Sequence, residues 1–298
     1  MKLSVVVAAF NADQTLPTTL NSLIAAREAS QNQKLIHFIV IDDGSAVDLR
    51  ESLSSYHLVP QLTIVRLQNN SGLWHARNIG VSTCDSDYVT FVDADDIVRK
   101  GFFNELYPLL RCRPDAIATR YSDWLEETNS HRPDPRKFPS AHFQEYLILA
   151  QCFMPSFSTI SRIAFDDVGG YRPSVTEDWD FWIRFFRAGY RSVRMETDQY
   201  LYRIHPLSLS RRPDMPFRDL ATVQIAIREN QKVKLRPILA LSFLERLILI
   251  KTQKFSRRAG VCRKYFPLFL GAGVHAIRQV NRVMTLVIAF SFSRNIKK

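Results

Sequence analysis

Over the first 121 residues, short apolar runs alternate with helix-periodic segments, and this alternation constrains the fold more than any other feature of the chain. Leu3–Ala9 is continuously apolar, as a strand covered on both faces requires. Gln14–Ala29 places Leu16, Leu20, Leu23 and Ile24 at helical spacing, with Pro17 near the first turn, where proline is tolerated. Leu35–Ile41 reads as a second strand, Val47–Ser55 as a helix and Leu62–Leu67 as a third strand. A turn at Asn69–Gly72 precedes a helix at Leu73–Thr83. Tyr88–Val92, Phe102–Leu110 and Ala116–Tyr121 continue as strand, helix and strand. The alternation implies an α/β fold: a Rossmann-like, mostly parallel sheet flanked by helices.

Ligands of such sheets bind beyond the carboxyl ends of the strands. Two acidic clusters fall there, Asp42-Asp43-Gly44 after the second strand and Asp93-Ala94-Asp95-Asp96 after the fourth. A single Asp-rich cluster reads as a turn; two at equivalent strand ends read as a site. Ser122–Ser140, with Pro133, Pro135 and Pro139, reads as a mobile excursion. Glu177–Ala188 is a helix that opens on acids, carries Phe181, Phe185 and Phe186 on one face and stops at Gly189. Arg191–Tyr202 reads as strand, and from Pro216 the pattern is helical and basic.

The 298 residues suffice for one large core, with an α/β domain over 1–215 and a helical, basic region over 216–298. The net charge of +11 is unevenly spread. Residues 1–202 hold 20 Lys and Arg against 25 Asp and Glu, whereas residues 203–298 hold 20 against 4. That surplus predicts an anionic partner for the tail. The four cysteines form no C-x-x-C pair, which disfavours a zinc cluster and sets a reducing, cytoplasmic location as the expectation. The apolar run at the N-terminus is too short for a signal peptide.

Five segments resemble family 2 glycosyltransferases, which have the GT-A fold. They are Ser4-Val5-Val6-Val7-Ala8-Ala9-Phe10-Asn11, Val40-Ile41-Asp42-Asp43-Gly44-Ser45, Asn70-Ser71-Gly72-Leu73-Trp74-His75-Ala76-Arg77-Asn78-Ile79-Gly80, Phe91-Val92-Asp93-Ala94-Asp95-Asp96, and Thr176-Glu177-Asp178-Trp179-Asp180-Phe181-Trp182. Each alone is a weak signal; their order over residues 4–182 is specific.

The resemblance implies an inverting enzyme that moves a sugar from a nucleoside-diphosphate donor to a hydroxyl of a glycan or lipid-linked acceptor. It assigns Asp95 to a divalent cation, Mn²⁺ or Mg²⁺, and Asp93 to the ribose or a metal-bound water. Hard oxygen ligands suit such ions, which offset charge on a leaving diphosphate. Asp96 reads as a cap for the following helix. Asp43 aligns with the residue that reads the base, and a carboxylate accepts the imide N–H of uracil, which favours a uridine nucleotide. Phe10 falls where an aromatic ring stacks on the base, or is simply core. Arg77 reaches a phosphate or forms a surface ion pair. Asp178 matches the base that takes the acceptor's proton, or else serves the helix dipole together with Glu177. Trp179 and Trp182 are candidates for the acceptor site, Trp182 equally for the core. His205, in Tyr202-Arg203-Ile204-His205, stands where many GT-A enzymes place a further metal ligand, against a plainly structural role.

In the tail, Ile238–Ile250 and Phe266–Phe292 are apolar but interrupted, and the last uncharged stretch, Val283–Ser293, has 11 residues. A spanning helix needs about 20. The flanking Lys and Arg suit helices lying on an anionic membrane surface, which would place the enzyme peripherally on the inner face of the membrane. A packed bundle or homo-oligomer contact is the alternative. Charge alone also permits nucleic acid, but the interleaved apolar faces argue against it. Two other readings compete: a sugar nucleotidyltransferase, disfavoured by the absence of a Gly-rich, lysine-bearing loop near the N-terminus, and a non-catalytic nucleotide or glycan binder.

Overall fold

The computed structural model describes residues 1–136, 138–174 and 176–204, together with 218, 219, 221, 222 and 225. The elements run β1 (Leu3–Ala9), α1 (Leu16–Glu28), β2 (Ile36–Asp42), α2 (Leu49–Ser52), β3 (Leu62–Arg66), α3 (Leu73–Thr83), β4 (Tyr88–Asp93), β5 (Ile97–Val98) and α4 (Phe102–Arg111). There follow β6 (Ala116–Ala118), β7 (Tyr121–Leu125), β8 (Ser130–Pro133), α5 (Gln144–Ala150), β9 (Thr159–Ser161), α6 (Arg162–Val168), α7 (Glu177–Arg187), β10 (Ser192–Arg194) and β11 (Tyr200–Ile204).

Among the described residues the strands form a seven-stranded sheet, β10-β6-β9-β4-β1-β2-β3, and a four-stranded sheet, β5-β11-β7-β8. In the large sheet β1 pairs in parallel with both β2 and β4, and β2 with β3. Only β9 runs antiparallel, against β4 and β6. The GT-A-like, mostly parallel expectation therefore stands. Alternation along β1 feeds two cores. Leu3, Val5, Val7 and Ala9 pack with α1 and α4, and Val6 packs on the opposite face with α3, α6 and α7. Gly80 lets α3 lie close on the sheet, since a Cβ there would stand 2.3 Å from Val6 Cγ1.

Strand order places the ends of β2, β1 and β4 side by side. Asp42 is in register with Ala9, and Asp93 with Ala8. The two acidic clusters thus flank β1, separated by two strand spacings, about 10 Å.

Several expectations are corrected. Val47–Ser55 is not one helix: Asp48 caps the single turn α2, and a 3-10 turn, Ser54–Tyr56, follows. Ala116–Tyr121 is not one strand. β6 stays in the large sheet, the buried Thr119 hydroxyl donates to the Phe157 carbonyl at 2.8 Å, and β7 begins in the second sheet. Ser122–Ser140 is not an unstructured excursion. It holds the β7–β8 hairpin, turned by Asn129 in the left-handed region, with Pro133 at an edge where a missing N–H is harmless. Arg191–Tyr202 likewise divides between β10 and β11, which belong to different sheets. The short β9 and the helices α5 and α6 have no expected counterpart.

Candidate active site

The β2 end carries two aspartates with different tasks. Buried Asp42 accepts from the Ser45 amide at 2.9 Å, the Leu49 amide at 3.3 Å and Arg66 at 2.7 Å, so it organises the loop after its own strand. Asp43 turns the other way. Its Oδ1 accepts from the Ser71 amide at 3.0 Å and its Oδ2 from the Gly72 amide at 2.8 Å, which ties β2 to the start of α3. Gly44 permits this approach: its φ is +70°, and a Cβ would meet the Asn69 carbonyl carbon at 2.6 Å. Phe10, just past β1, is 50% exposed, so it is not a core side chain. Asn11 locks its loop to the β2 loop: its amide donates to Ser45 Oγ, and its Oδ1 accepts from the Ala46 amide, each at 2.9 Å.

The turn after β4 is held from several elements. Tyr200 Oη accepts from the Asp93 amide at 3.1 Å and donates to Asp96 Oδ2 at 2.7 Å. The Thr19 hydroxyl donates to the Ala94 carbonyl at 3.0 Å. Arg203 donates from its amide to Asp96 Oδ1 at 2.7 Å and from Nε to the Asp95 carbonyl at 2.6 Å. Asp96 is therefore no helix cap; it is a fully buried acid serving β11. Burial, with Asp93 and Asp95 adding to it, pushes its carboxyl well above the usual carboxylate range. Asp93 and Asp95 are only partly buried at the mouth of the turn.

Arg77 connects this turn to α7. Its side chain is 2% exposed; Nη2 donates to Asp93 Oδ1 at 2.8 Å, and Nη1 lies 3.5 Å from Glu177 Oε1. Burial works against its charge, yet Asp93, Tyr171, Glu177 and Asp178 together hold it firmly protonated. The guanidinium sits over the Phe91 and Tyr171 rings at 5.7 and 5.6 Å. Arg77 is thus not a surface ion pair; it is a buried guanidinium shared between the turn after β4 and α7. Asn78 fastens the loop before α7 from the same helix: Nδ2 donates to the Tyr171 carbonyl at 2.6 Å, and Oδ1 accepts from the Tyr171 amide at 2.9 Å.

On α7, Asp178 Oδ1 accepts from the Trp179 amide at 2.8 Å. Burial raises its pKa while Arg77 pulls it back. Burial and the neighbouring Asp178 likewise raise that of Glu177. A carboxylate brought nearer neutrality is a better proton acceptor than an ordinary one. Asp180 is structural, accepting from Arg172 at 2.9 and 3.1 Å and from Arg184 at 2.9 Å. Trp179 and Trp182 do not line an acceptor surface. Both are core, and Trp179 Nε1 donates to the Ile148 carbonyl at 2.6 Å.

The structure thus gathers Asp93, Arg77, Glu177 and Asp178, and sets Asp43 and Phe10 at the adjacent strand ends. Tyr200, Arg203, Thr19 and Tyr171 were not anticipated. One signal pointed to them: three acids within four residues beside an apolar strand need donors from elsewhere in the chain. His205 lies outside the described residues, as does the tail from 216 apart from the five residues named above. Of these, the Thr222 hydroxyl is buried 2.6 Å from that of Thr176, at the start of α7. Among the described residues no helix is long and apolar enough to cross a membrane, and no group of three or more His, Cys, Asp or Glu forms a metal cluster.

Known proteins resemble this chain in sequence and in fold. The family profile described as Glycosyl transferase family 2 matches residues 4–169. Glycosyltransferase GlyG of Streptococcus pneumoniae is 23% identical over 233 residues, covering 70% of this chain and 73% of GlyG. The uncharacterized glycosyltransferase YwdF of Bacillus subtilis is 28% identical over 206 residues, covering 68% and 74%. The crystal structure of S. aureus TarS residues 1–349 in complex with UDP-GlcNAc superposes with a TM-score of 0.64 at 17% identity, over 92% of this chain and 79% of that one, which shows a shared fold. The chain spans 14% of the length of another relative, glycosyltransferase GlyA of S. pneumoniae.

Proposed function

Because the chain belongs to glycosyl transferase family 2, we propose that this glycosyltransferase uses a nucleoside-diphosphate sugar, with uridine preferred, and inverts the anomeric centre as it transfers to a hydroxyl of a glycan or lipid-linked acceptor. The observation that carries the reading is the Arg77 bridge. It joins the aspartate turn after β4, the donor side, to the acids opening α7, the acceptor side.

In the proposed mechanism Phe10 stacks on the base and Asp43 accepts its imide N–H. Two backbone amides already fix the Asp43 carboxylate, so little side-chain freedom is lost on binding. Asp178 takes the acceptor proton as the hydroxyl oxygen attacks the anomeric carbon. The bond from that carbon to the diphosphate oxygen breaks, and the nucleoside diphosphate leaves. The partly buried carboxylates Asp95 and Asp93 suit a Mn²⁺ or Mg²⁺ ion, which uses one or two protein carboxylates plus phosphate oxygens and so requires no larger cluster. His205 is the proposed additional ligand. When bound, the ion supplies positive charge to the leaving diphosphate. The family resemblance fits a role in surface glycans, and the basic tail fits attachment to the inner face of the membrane.

The test is calorimetric titration of UDP with and without Mn²⁺, beside a hydrolysis screen of UDP-, GDP- and dTDP-sugars. Wild type should bind UDP more tightly with Mn²⁺, and Asp95→Ala should lose that gain along with turnover. Unchanged affinity and turnover in the variant would rule out the assignment.

A further inference from the structure

The mouth of the site is set by a turn whose backbone is held in place by other elements, and one of these holds reaches outward. Arg203, buried on β11, contacts the turn twice, through its amide to Asp96 and through Nε to the Asp95 carbonyl. The far end of the same guanidinium belongs to a different neighbourhood. Nη1 donates to Glu126, which follows β7, and the guanidinium carbon sits 4.7 Å from the Trp124 ring centre. Arg203 and Trp124 are partners in the parallel β11–β7 register, so the stacking is fixed by sheet pairing. Trp124 is held in turn by Asn129 at the tip of the hairpin, its Nε1 donating at 3.3 Å.

We propose that Arg203 is a positioning residue through which the β7–β8 hairpin sets the geometry of the Asp93–Asp96 turn. Its bearing on the cation rests on the reading of Asp95 given above. Two observations and one chemical argument converge. The Arg203 contacts fall on the backbone of Asp95 and the buried carboxyl of Asp96, so they orient the turn. The hairpin lies on the outer edge of the small sheet, with β8 exposed along its length, so it is the adjustable partner. A planar guanidinium with a fixed fork transmits a displacement at one end to the other, which a flexible ammonium does not. Of the other holds, Thr19 comes from α1, whereas Tyr200 lies on β11 beside Tyr121 of β7 and meets the hairpin through strand pairing, not through Glu126 or Trp124.

Glu126 offers a clean perturbation because its side chain is 55% exposed, so Glu126→Gln leaves the core untouched. Two measurements are made on the full chain. The first is amide hydrogen exchange without ligands. Glu126→Gln should speed exchange about threefold in the segment containing 93–96, the scale of one partly exposed ion pair, while α3 and β1 stay unchanged. Glu126→Asp, which keeps the charge, should restore most of the protection. The second is the Mn²⁺ concentration that half-saturates the gain in UDP affinity. It should rise about threefold in Glu126→Gln and further in Arg203→Lys, with metal-free UDP affinity unchanged and the unfolding midpoint of Glu126→Gln lowered by no more than about 3 °C. Unaltered exchange at 93–96 in Glu126→Gln overturns the proposal. If exchange responds but UDP binding in wild type is indifferent to Mn²⁺, the clamp stands and the cation reading of Asp95 fails instead.

Discussion

Replacing Arg77 with methionine removes the one charge that links Asp93 to Glu177 while keeping an apolar side chain of similar reach. The arginine is 2% exposed, whereas Asp93 and Glu177 keep 25% and 21% of their side-chain surface. Breaking a buried pair from one side costs about 3–5 kcal/mol, and the partial exposure of the acids places this case near the lower end, at about 3 kcal/mol. For a domain of this size that lowers Tm by roughly 6–12 °C. The loss should depend on pH, and the sign follows from the acids. Burial already raises the pKa values of Glu177 and Asp178. Between the unfolded carboxyl value and the raised folded value, the folded state binds more protons than the unfolded one. Stability therefore falls as pH rises through that window. Without Arg77 the folded values rise further and the window widens upward. Urea unfolding at pH 5 and pH 8 should show a deficit relative to wild type that is largest at pH 8 and shrinks at pH 5. Equal deficits at the two pH values would mean that Arg77 matters for packing and not for charge.

Asp178→Asn retains shape but accepts no proton, so kcat should fall by about 10²–10⁴-fold with UDP affinity kept within about twofold; product formation under saturating donor measures the first and calorimetry the second. Gly80→Ala gains about 1 kcal/mol in helix propensity but drives a Cβ to 2.3 Å from Val6 Cγ1, so a net loss of about 1–2 kcal/mol in urea unfolding is expected. Adding Val6→Ala to that variant should return part of the loss, because it removes the clashing methyls.

The strand-end positions of the candidate site were readable because they are local. The residues following β1, β2 and β4 sit at strand ends, and an apolar run marks each strand, so Phe10, Asp43 and Asp93 were placed by periodicity together with the resemblance. What escaped depends on contacts distant in sequence. Tyr200 and Arg203 reach Asp93–Asp96 across more than a hundred residues, and nothing in their own segment announces a partner. The surface alternative for Arg77 fails for a related reason: a charged residue in a helix reads as exposed, and only the tertiary fold surrounds it with Phe91, Tyr171 and two acids. The hairpin at 121–133 was hidden by Pro133 and by Pro135 and Pro139 just after it, which signal loop until an edge strand is seen to tolerate one. The tryptophans of α7 carried the opposite ambiguity, since sugar-binding and core aromatics look alike in sequence.

The chain has four tryptophans, and each stands on an element that borders the site. Trp179 and Trp182 are buried on α7 beside Asp178, whereas Trp74 opens α3 and Trp124 lies under Arg203, both half-wet. Intrinsic fluorescence should therefore resolve into a blue component that acrylamide hardly quenches and a red component that it quenches readily. The first reports the packing of α7 and the second the two outer walls. A ligand that settles against α3 or the hairpin would alter the red emission and leave the blue unchanged, so wild-type protein carries its own optical probe of which wall is engaged.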